Sequence, residues 1–267
     1  MAEAYKDLIF EIDGHVSTIT LNRPEAYNAI SDLMRNELRD VIDRLHRDDA
    51  IRIVIITGAG KAFCAGGDIK LMKQRIEEEI PYRERLDTYR RDVAGMVREI
   101  KSIRQLSIAK LNGATYGAGC SIAMLCDIRI ASAAAKFGMP FGRRGLVPDW
   151  GSLYFLPRLV GTSQAIALTA AGRSFDAQKA LAAGFVNEVV PPEELDAFTK
   201  AYCDDILLSS PMSVMESKAA IYAGMEAELD TALEREAQLQ SVCYCSDDHR
   251  EGVDCFLEKR PPVFKGR

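Results

Sequence analysis

The sequence predicts an α/β protein whose C-terminal part is helical. Three observations carry that prediction. Three apolar runs of strand length, RIVIITG, SIAKLNG and DIRIAS, are separated by segments of helical character. Two of these runs lead straight into glycine-rich loops. From about residue 190 onward only helical patterns occur.

The elements follow in chain order. DLIFEID and VSTITLN alternate in polarity and flank Gly14-His15, a turn pair that fits a hairpin. SDLMRNELRDVIDRLHRDDA places Leu33, Met34, Leu38, Val41, Ile42 and Leu45 at helical spacing, with Ser31 or Asp32 able to cap its start. RIVIITG reads as a strand buried on both faces. A long polar region, about 69–104, reads as helix. SIAKLNG is a second buried strand, followed by a glycine-rich turn, a short apolar helix and DIRIAS as a third strand. PPEEL opens the C-terminal part with a proline and acids at a helix start. Helices then span 192–208, 211–223, 228–243 and about 247–258, and RPPVFKGR is irregular. The domain reading is an α/β body over 1–195 and a helical region over 196–267.

Composition bounds the function. The chain has 267 residues, 48% apolar and 27% charged, with a formal net charge of -5. That is the profile of a globular protein with a sizeable core. The short charge runs RRD and EEE read as solvated helix faces, and no basic face for nucleic acid is expected. No run of 18 apolar residues suggests a membrane span. The opening MAEAYKDLIFEIDG lacks the pattern of a signal peptide, and the seven cysteines include no C-x-x-C pair. Free thiols in a reducing cytoplasm are therefore expected. His15, His46 and His249 are scattered and form no metal motif.

Two loops carry the chemistry. ITGAGKAFCAGGDIK (56–70) and LNGATYGAGCSIAM (111–124) each follow a buried strand, and the second opens a helix. Glycine-rich turns at a helix N-terminus present backbone N–H groups beside the positive end of the helix dipole. Such groups hold phosphate, or they stabilise an oxyanion. Neither G-x-x-x-x-G-K-[ST] nor G-x-G-x-x-G occurs, which disfavours nucleotide folds. The alternative is purely structural, glycines that let helices pack close to strands. A third stretch, KFGMPFGRRGLVPDWGSLYFLPRLVG (136–161), holds one acid, Asp149, beside the only tryptophan of the chain. Asp149 is either a catalytic acid–base or the cap of a helix beginning near Gly151.

The order and flanks of these motifs resemble the crotonase superfamily, the enoyl-CoA hydratases and isomerases. The likeness runs through LNRPEAYNAI, AFCAGGDIK, NGATYGAGCSIAMLCDIRIA, FGMPFGRRGLVPDWGSLYFLPRLVG and DDHREGVDCFLEKRPPVFKGR. It implies a crotonase-like spiral of repeated ββα units, with a helical C-terminal region that makes a homotrimer, often paired into a hexamer. It further implies an acyl-CoA thioester substrate, with coenzyme A entering as part of that substrate and no permanently bound cofactor. Carried over residue by residue, the oxyanion donors are the backbone N–H groups of Gly67 and Ala118. Coenzyme A would lie along Glu25, Ala26, Ala62, Ala65, Asp68 and Ile69, with Gly66 and Gly117 giving room for backbone approach. Phe141 and Trp150 would meet the acyl side, and Phe264 and Lys265 would close over the nucleotide.

The sequence departs from the hydratase pattern at two points. The two glutamates that hold a water in a typical hydratase fall on Ser121 and Phe141. One carboxylate suits one reaction best: Asp149 takes a proton from one carbon of the acyl chain and returns it to another, which is double-bond isomerisation. Phe141, Leu146, Val147 and Trp150 would raise its pKa by desolvation. Two alternatives stand beside this reading. One is a hydratase or thioester hydrolase that uses Glu77, Glu78, Glu79, Glu84 or Asp87. The other is a catalytically weak acyl-CoA-binding subunit.

Overall fold

The computed structural model describes residues 5–267. Ten strands follow one another: β1 (Leu8–Asp13), β2 (Val16–Leu21), β3 (Ile53–Gly58), β4 (Ala62–Cys64), β5 (Leu106–Leu111), β6 (Ala114–Tyr116), β7 (Ile128–Ser132), β8 (Lys136–Gly138), β9 (Ser174–Asp176) and β10 (Glu188–Val190). They build two sheets. One has the order β1-β2-β3-β5-β7-β10 and the other β4-β6-β8-β9. Each of β3–β4, β5–β6 and β7–β8 places its first strand in the larger sheet and its second in the smaller one, and a helix follows. That is the ββα spiral which the resemblance implied.

The local reasons are in the sequence. β1 and β2 pair antiparallel around Gly14, whose φ of +58° suits glycine. β2 and β3 pair parallel, as do β5 and β7, and every residue of β3 is buried. The helix Asp32–Arg47 is capped by Ser31, which accepts the Met34 N–H at 2.9 Å. Its buried face holds Met34, Leu38, Val41, Ile42 and Leu45. Leu33, expected on that face, is exposed, and Arg35 is buried there instead. The stretch 69–104 is not one helix. It divides into Ile69–Glu77, Tyr82–Tyr89, a wide π turn at Arg90–Ala94 and Gly95–Lys101. Pro81 and the left-handed Glu79 (φ 46°) account for the first break.

The described residues form two compact units. The first comprises the chain up to Ile103 with Ser107–Thr199, and the second Arg104–Leu106 with Lys200–Arg267. The second unit is helical at Pro211–Gly224, Leu229–Tyr244 and Asp247–Glu258, within a residue of the sequence expectation.

Close packing in the first unit is decided at Gly119, in the second turn-forming position of the buried helix Ala118–Leu125. A Cβ there would lie 2.1 Å from the Cys64 carbonyl oxygen, a backbone atom that cannot swing aside. Gly119→Ala is therefore expected to lower the unfolding free energy by more than about 2 kcal/mol through overpacking. Urea denaturation checks this, and an unchanged midpoint would show that the helix and β4 can separate at no cost.

Candidate active site

The two glycine-rich loops meet. Gly66 has φ +96°, and a Cβ on it would lie 2.7 Å from the Tyr116 carbonyl oxygen and 3.2 Å from the Ala118 nitrogen. Gly66 donates its N–H to Cys64 Sγ at 3.4 Å and accepts the Ile30 N–H at 2.8 Å, so its own polar groups are committed. The next residue, Gly67, has no acceptor for its N–H among the described residues. Ala118 opens its helix, so its N–H is one of the first-turn donors with no partner inside the helix. Gly117 reaches this turn with φ +53°, which an L side chain resists. Two spare donors thus stand on adjacent, glycine-dependent turns.

Both donors line a cavity of about 690 Å³, a size typical of small-molecule sites. Its wall also includes Glu25, Ala26, Ala65, Asp68, Ile69, Gly117, Phe141, Asp149 and Trp150, so most of the residues singled out in the sequence come together. Ala62 and Gly66 are not on this wall. The Ala62 carbonyl is taken by Asn28 Nδ2 at 2.8 Å, and Asn28 itself is fully buried. Ala62 and Gly66 shape the loop from behind. Phe264 and Lys265 belong to the second unit, where Asp248 accepts the Lys265 N–H at 2.7 Å.

Asp149 is not a helix cap. The helix Ser152–Val160 begins after Gly151, and no side chain caps it. Only the Asp149 backbone carbonyl takes part, accepting the Ser152 N–H at 3.0 Å. Its Oδ1 is buried without a hydrogen-bond partner among the described residues. Burial pushes its carboxyl up to about 6, opposed only by its own backbone N–H. The next residue, Trp150, is 4% exposed and sits at φ +52°, a conformation unfavourable for so bulky a residue. Gly151 follows at φ +79°, and a Cβ there would strike Phe155 and Val97. Strain of this kind persists only where the surroundings impose it, and it concentrates at functional sites. Arg143 and Arg144 turn away from the carboxylate, donating to the carbonyls of Ala171 (3.2 and 3.1 Å) and Pro140 (3.3 Å).

The other carboxylate positions are settled by geometry. Ser121 is fully buried, shares a 2.6 Å hydrogen bond with Ser152 and donates to the Gly117 carbonyl at 3.2 Å. It ties two helix starts together and does not line the cavity. Phe141 lines it with an apolar ring. Glu77, Glu78, Glu79, Glu84 and Asp87 are all exposed and away from the wall. Several lining residues escaped the sequence reading. Arg35 and Arg75 also line the cavity. Arg35 sits among apolar neighbours on the first helix, and the sign that marked it was a charge on the face with 3.6-residue apolar spacing.

The chain matches the family model described as enoyl-CoA hydratase/isomerase over residues 11–267. It is 37% identical to a short-chain-enoyl-CoA hydratase of Clostridium acetobutylicum, covering 98% of each chain. It is 34% identical to a 1,2-epoxyphenylacetyl-CoA isomerase of Escherichia coli, covering 97% of this chain and 98% of the relative. The crystal structure of an enoyl-CoA hydratase from Bacillus anthracis superposes with a TM-score of 0.91 at 31% identity, over 98% of this chain and all of that one.

The raised carboxyl of Asp149 has a consequence for stability. A carboxyl whose folded pKa lies above its unfolded value, about 3.9, adds stability only while protonated. That contribution is complete below the unfolded value and is lost as pH rises through about 6. Asp149→Asn is therefore expected to stabilise the protein by on the order of 1–3 kcal/mol at about pH 8, and to leave it unchanged near pH 4. Urea titrations at the two pH values test this; equal midpoints at both would mean that the carboxylate is solvated.

Proposed function

The chain belongs to the enoyl-CoA hydratase/isomerase family, and from that premise we propose that it moves a proton between carbons of an acyl-CoA thioester, with Asp149 as the single acid–base. The observation that carries this reading is the buried, unpartnered Asp149 carboxylate on the same cavity wall as two spare N–H donors. The thioester carbonyl would lie between the N–H groups of Gly67 and Ala118. Asp149 would accept a proton from the acyl chain, and the resulting enolate oxygen would be held by those donors without any reorganisation. One such donor is worth roughly 3–4 kcal/mol at the transition state. Asp149, now protonated, would return the proton at the second carbon. A carboxyl poised near 6 serves both halves of that exchange close to neutral pH.

Hydration is the second reading, favoured by the names of most of the relatives, including the Clostridium acetobutylicum hydratase. It requires a group to hold and deprotonate water beside the group that protonates carbon. Ser121 is engaged with Ser152 and Phe141 carries no proton, so two of the positions where that second group would be sought do not supply it.

Asp149→Asn keeps the size and removes the proton acceptor. Catalysed exchange of deuterium from the acyl chain should fall roughly 100-fold or more, while coenzyme A binding persists. In the unsubstituted protein the exchange rate should drop below about pH 6, as Asp149 takes up its proton. Exchange at nearly the normal rate in the variant would refute the single-carboxylate mechanism.

The second unit supports an oligomer. Pro211–Gly224 and Leu229–Tyr244 bury no residue, and Ile221, Leu229, Phe256 and Leu257 are each exposed. So large an apolar display on helices suits a partner surface, read here as a homotrimer or a pair of trimers. Sedimentation at micromolar protein should give a multiple of three chains; a monomer would rule that out.

A further inference from the structure

Arg35 is the anomaly of the first helix. It is 8% exposed, on the face that buries Met34, Leu38, Val41, Ile42 and Leu45. A buried guanidinium is costly unless its donors are used. Only Arg35 Nη2 is used, on Asp32 Oδ1 at 2.6 Å. The same oxygen also receives Arg75 Nη2 at 2.8 Å, and the second Asp32 oxygen receives it at 3.1 Å. One carboxylate therefore serves two guanidiniums, and the trio carries a net positive charge. Asp92 is the other acid near Arg35, and it is engaged by Arg91 at 2.8 Å and 3.2 Å. Arg35 Nε and Nη1 make no hydrogen bond among the described residues, and neither atom is fully buried.

The position of this charge relative to the donors follows from Met72. A Cβ on Gly67 would lie 2.3 Å from Met72 Cε, so Met72 lies directly against the first donor. Arg75 is one turn further along the same helix, on the same face. Met72, Arg75, Arg35 and Val93 all line the cavity. An acyl chain whose carbonyl sits at Gly67 passes Met72 and meets the cationic pair. Of the other cations that line the cavity, Arg23 is matched by Asp68 at 3.2 Å and Asp7 at 3.6 Å, Arg144 donates to the Pro140 carbonyl at 3.3 Å, and Lys70 is exposed.

We propose that Arg35, supported by Arg75, forms an anion subsite for a carboxylate at the far end of the acyl group, so that the preferred substrates are monothioesters of dicarboxylic acids. A planar guanidinium with two spare donors matches a carboxylate in two-point contact. This rests on the acyl-CoA reading of the cavity. The anion that Arg35 serves could instead be a phosphate of coenzyme A itself, and the experiment separates the two.

Isothermal titration would compare saturated thioesters, which bind without reacting. Succinyl-, glutaryl-, adipyl- and suberyl-CoA are set against butanoyl-, pentanoyl-, hexanoyl- and octanoyl-CoA, with free coenzyme A as reference. At least one diacid should bind about 10-fold tighter than its uncharged partner, as a charge-assisted contact requires. Arg35→Leu should abolish that preference and leave the uncharged thioesters and free coenzyme A within about 3-fold of their original affinities. Arg75→Leu, at a more exposed position, should weaken the preference in part, and it keeps the test open should Arg35→Leu fail to fold. Equal affinity for diacids and monoacids in the unsubstituted protein would overturn the subsite. So would a loss in Arg35→Leu that falls equally on free coenzyme A, which would assign the charge to the phosphates. A protein that binds no thioester at all would overturn the acyl-CoA reading, and the subsite with it.

Discussion

The structure depends on one close approach, the contact of the helix Ala118–Leu125 with the end of β4. Gly119 rests on the Cys64 carbonyl and Gly66 on the Tyr116 carbonyl, each nearer than a side chain permits. Because neither contact tolerates a Cβ, the two loops lock in one register. Gly67 and Ala118 follow directly from that register, one residue beyond Gly66 and one before Gly119. Their N–H groups have no acceptor among the described residues. Donors fixed in this way need no rearrangement when negative charge appears, and that preorganisation is what an oxyanion site requires.

Asp149, which lines the same cavity, follows a different logic. Most buried polar atoms find partners, and Oδ1 of Asp149 has none among the described residues. The chain holds it there at the expense of a left-handed tryptophan and a left-handed glycine in succession. An interaction network built for stability would have paired this carboxylate with Arg143 or Arg144, which lie a few residues away and instead bond to main-chain carbonyls. A buried, unpaired carboxyl of raised pKa is the kind of group that active sites keep at the expense of stability, which is what the proposed proton exchange needs.

Legibility in the sequence followed the length of the elements. The buried runs that became β3, β5 and β7 and the C-terminal helices showed clear periodicity, and their bounds agree closely with the structure. The smaller sheet was invisible to periodicity, because β4, β6, β8 and β9 are three residues each and no alternation can be read from three residues. Only the resemblance to a known family supplied it. The two loops were legible because glycine-rich turns mark themselves, and the resemblance named Gly67 and Ala118 within them. Ala62, in β4, does not line the cavity, and its carbonyl is engaged by Asn28. The cap reading of Asp149 failed for a reason no sequence shows: Trp150 and Gly151 both adopt positive φ, which moves the helix start beyond the reach of the Asp149 side chain.

Arg35 was missed because helical spacing was sought among apolar residues, and a charge on that face was passed over. Its presence bears on the cavity as a whole, which is lined by cations and by the Asp149 carboxyl. Two guanidiniums beside Asp149 would hold its carboxyl low and abolish its value as a base near neutral pH. The carboxyl is instead raised, and burial alone accounts for the rise. Asp32 draws Arg35, from its own helix, and Arg75, from the helix Ile69–Glu77, onto one carboxylate. On the proposed reading the cavity offers an acid of raised pKa at Asp149 and a cationic pair beyond Met72. A substrate with opposite character at its two ends fits that polarity in one orientation only, which fixes which of its carbons faces Asp149.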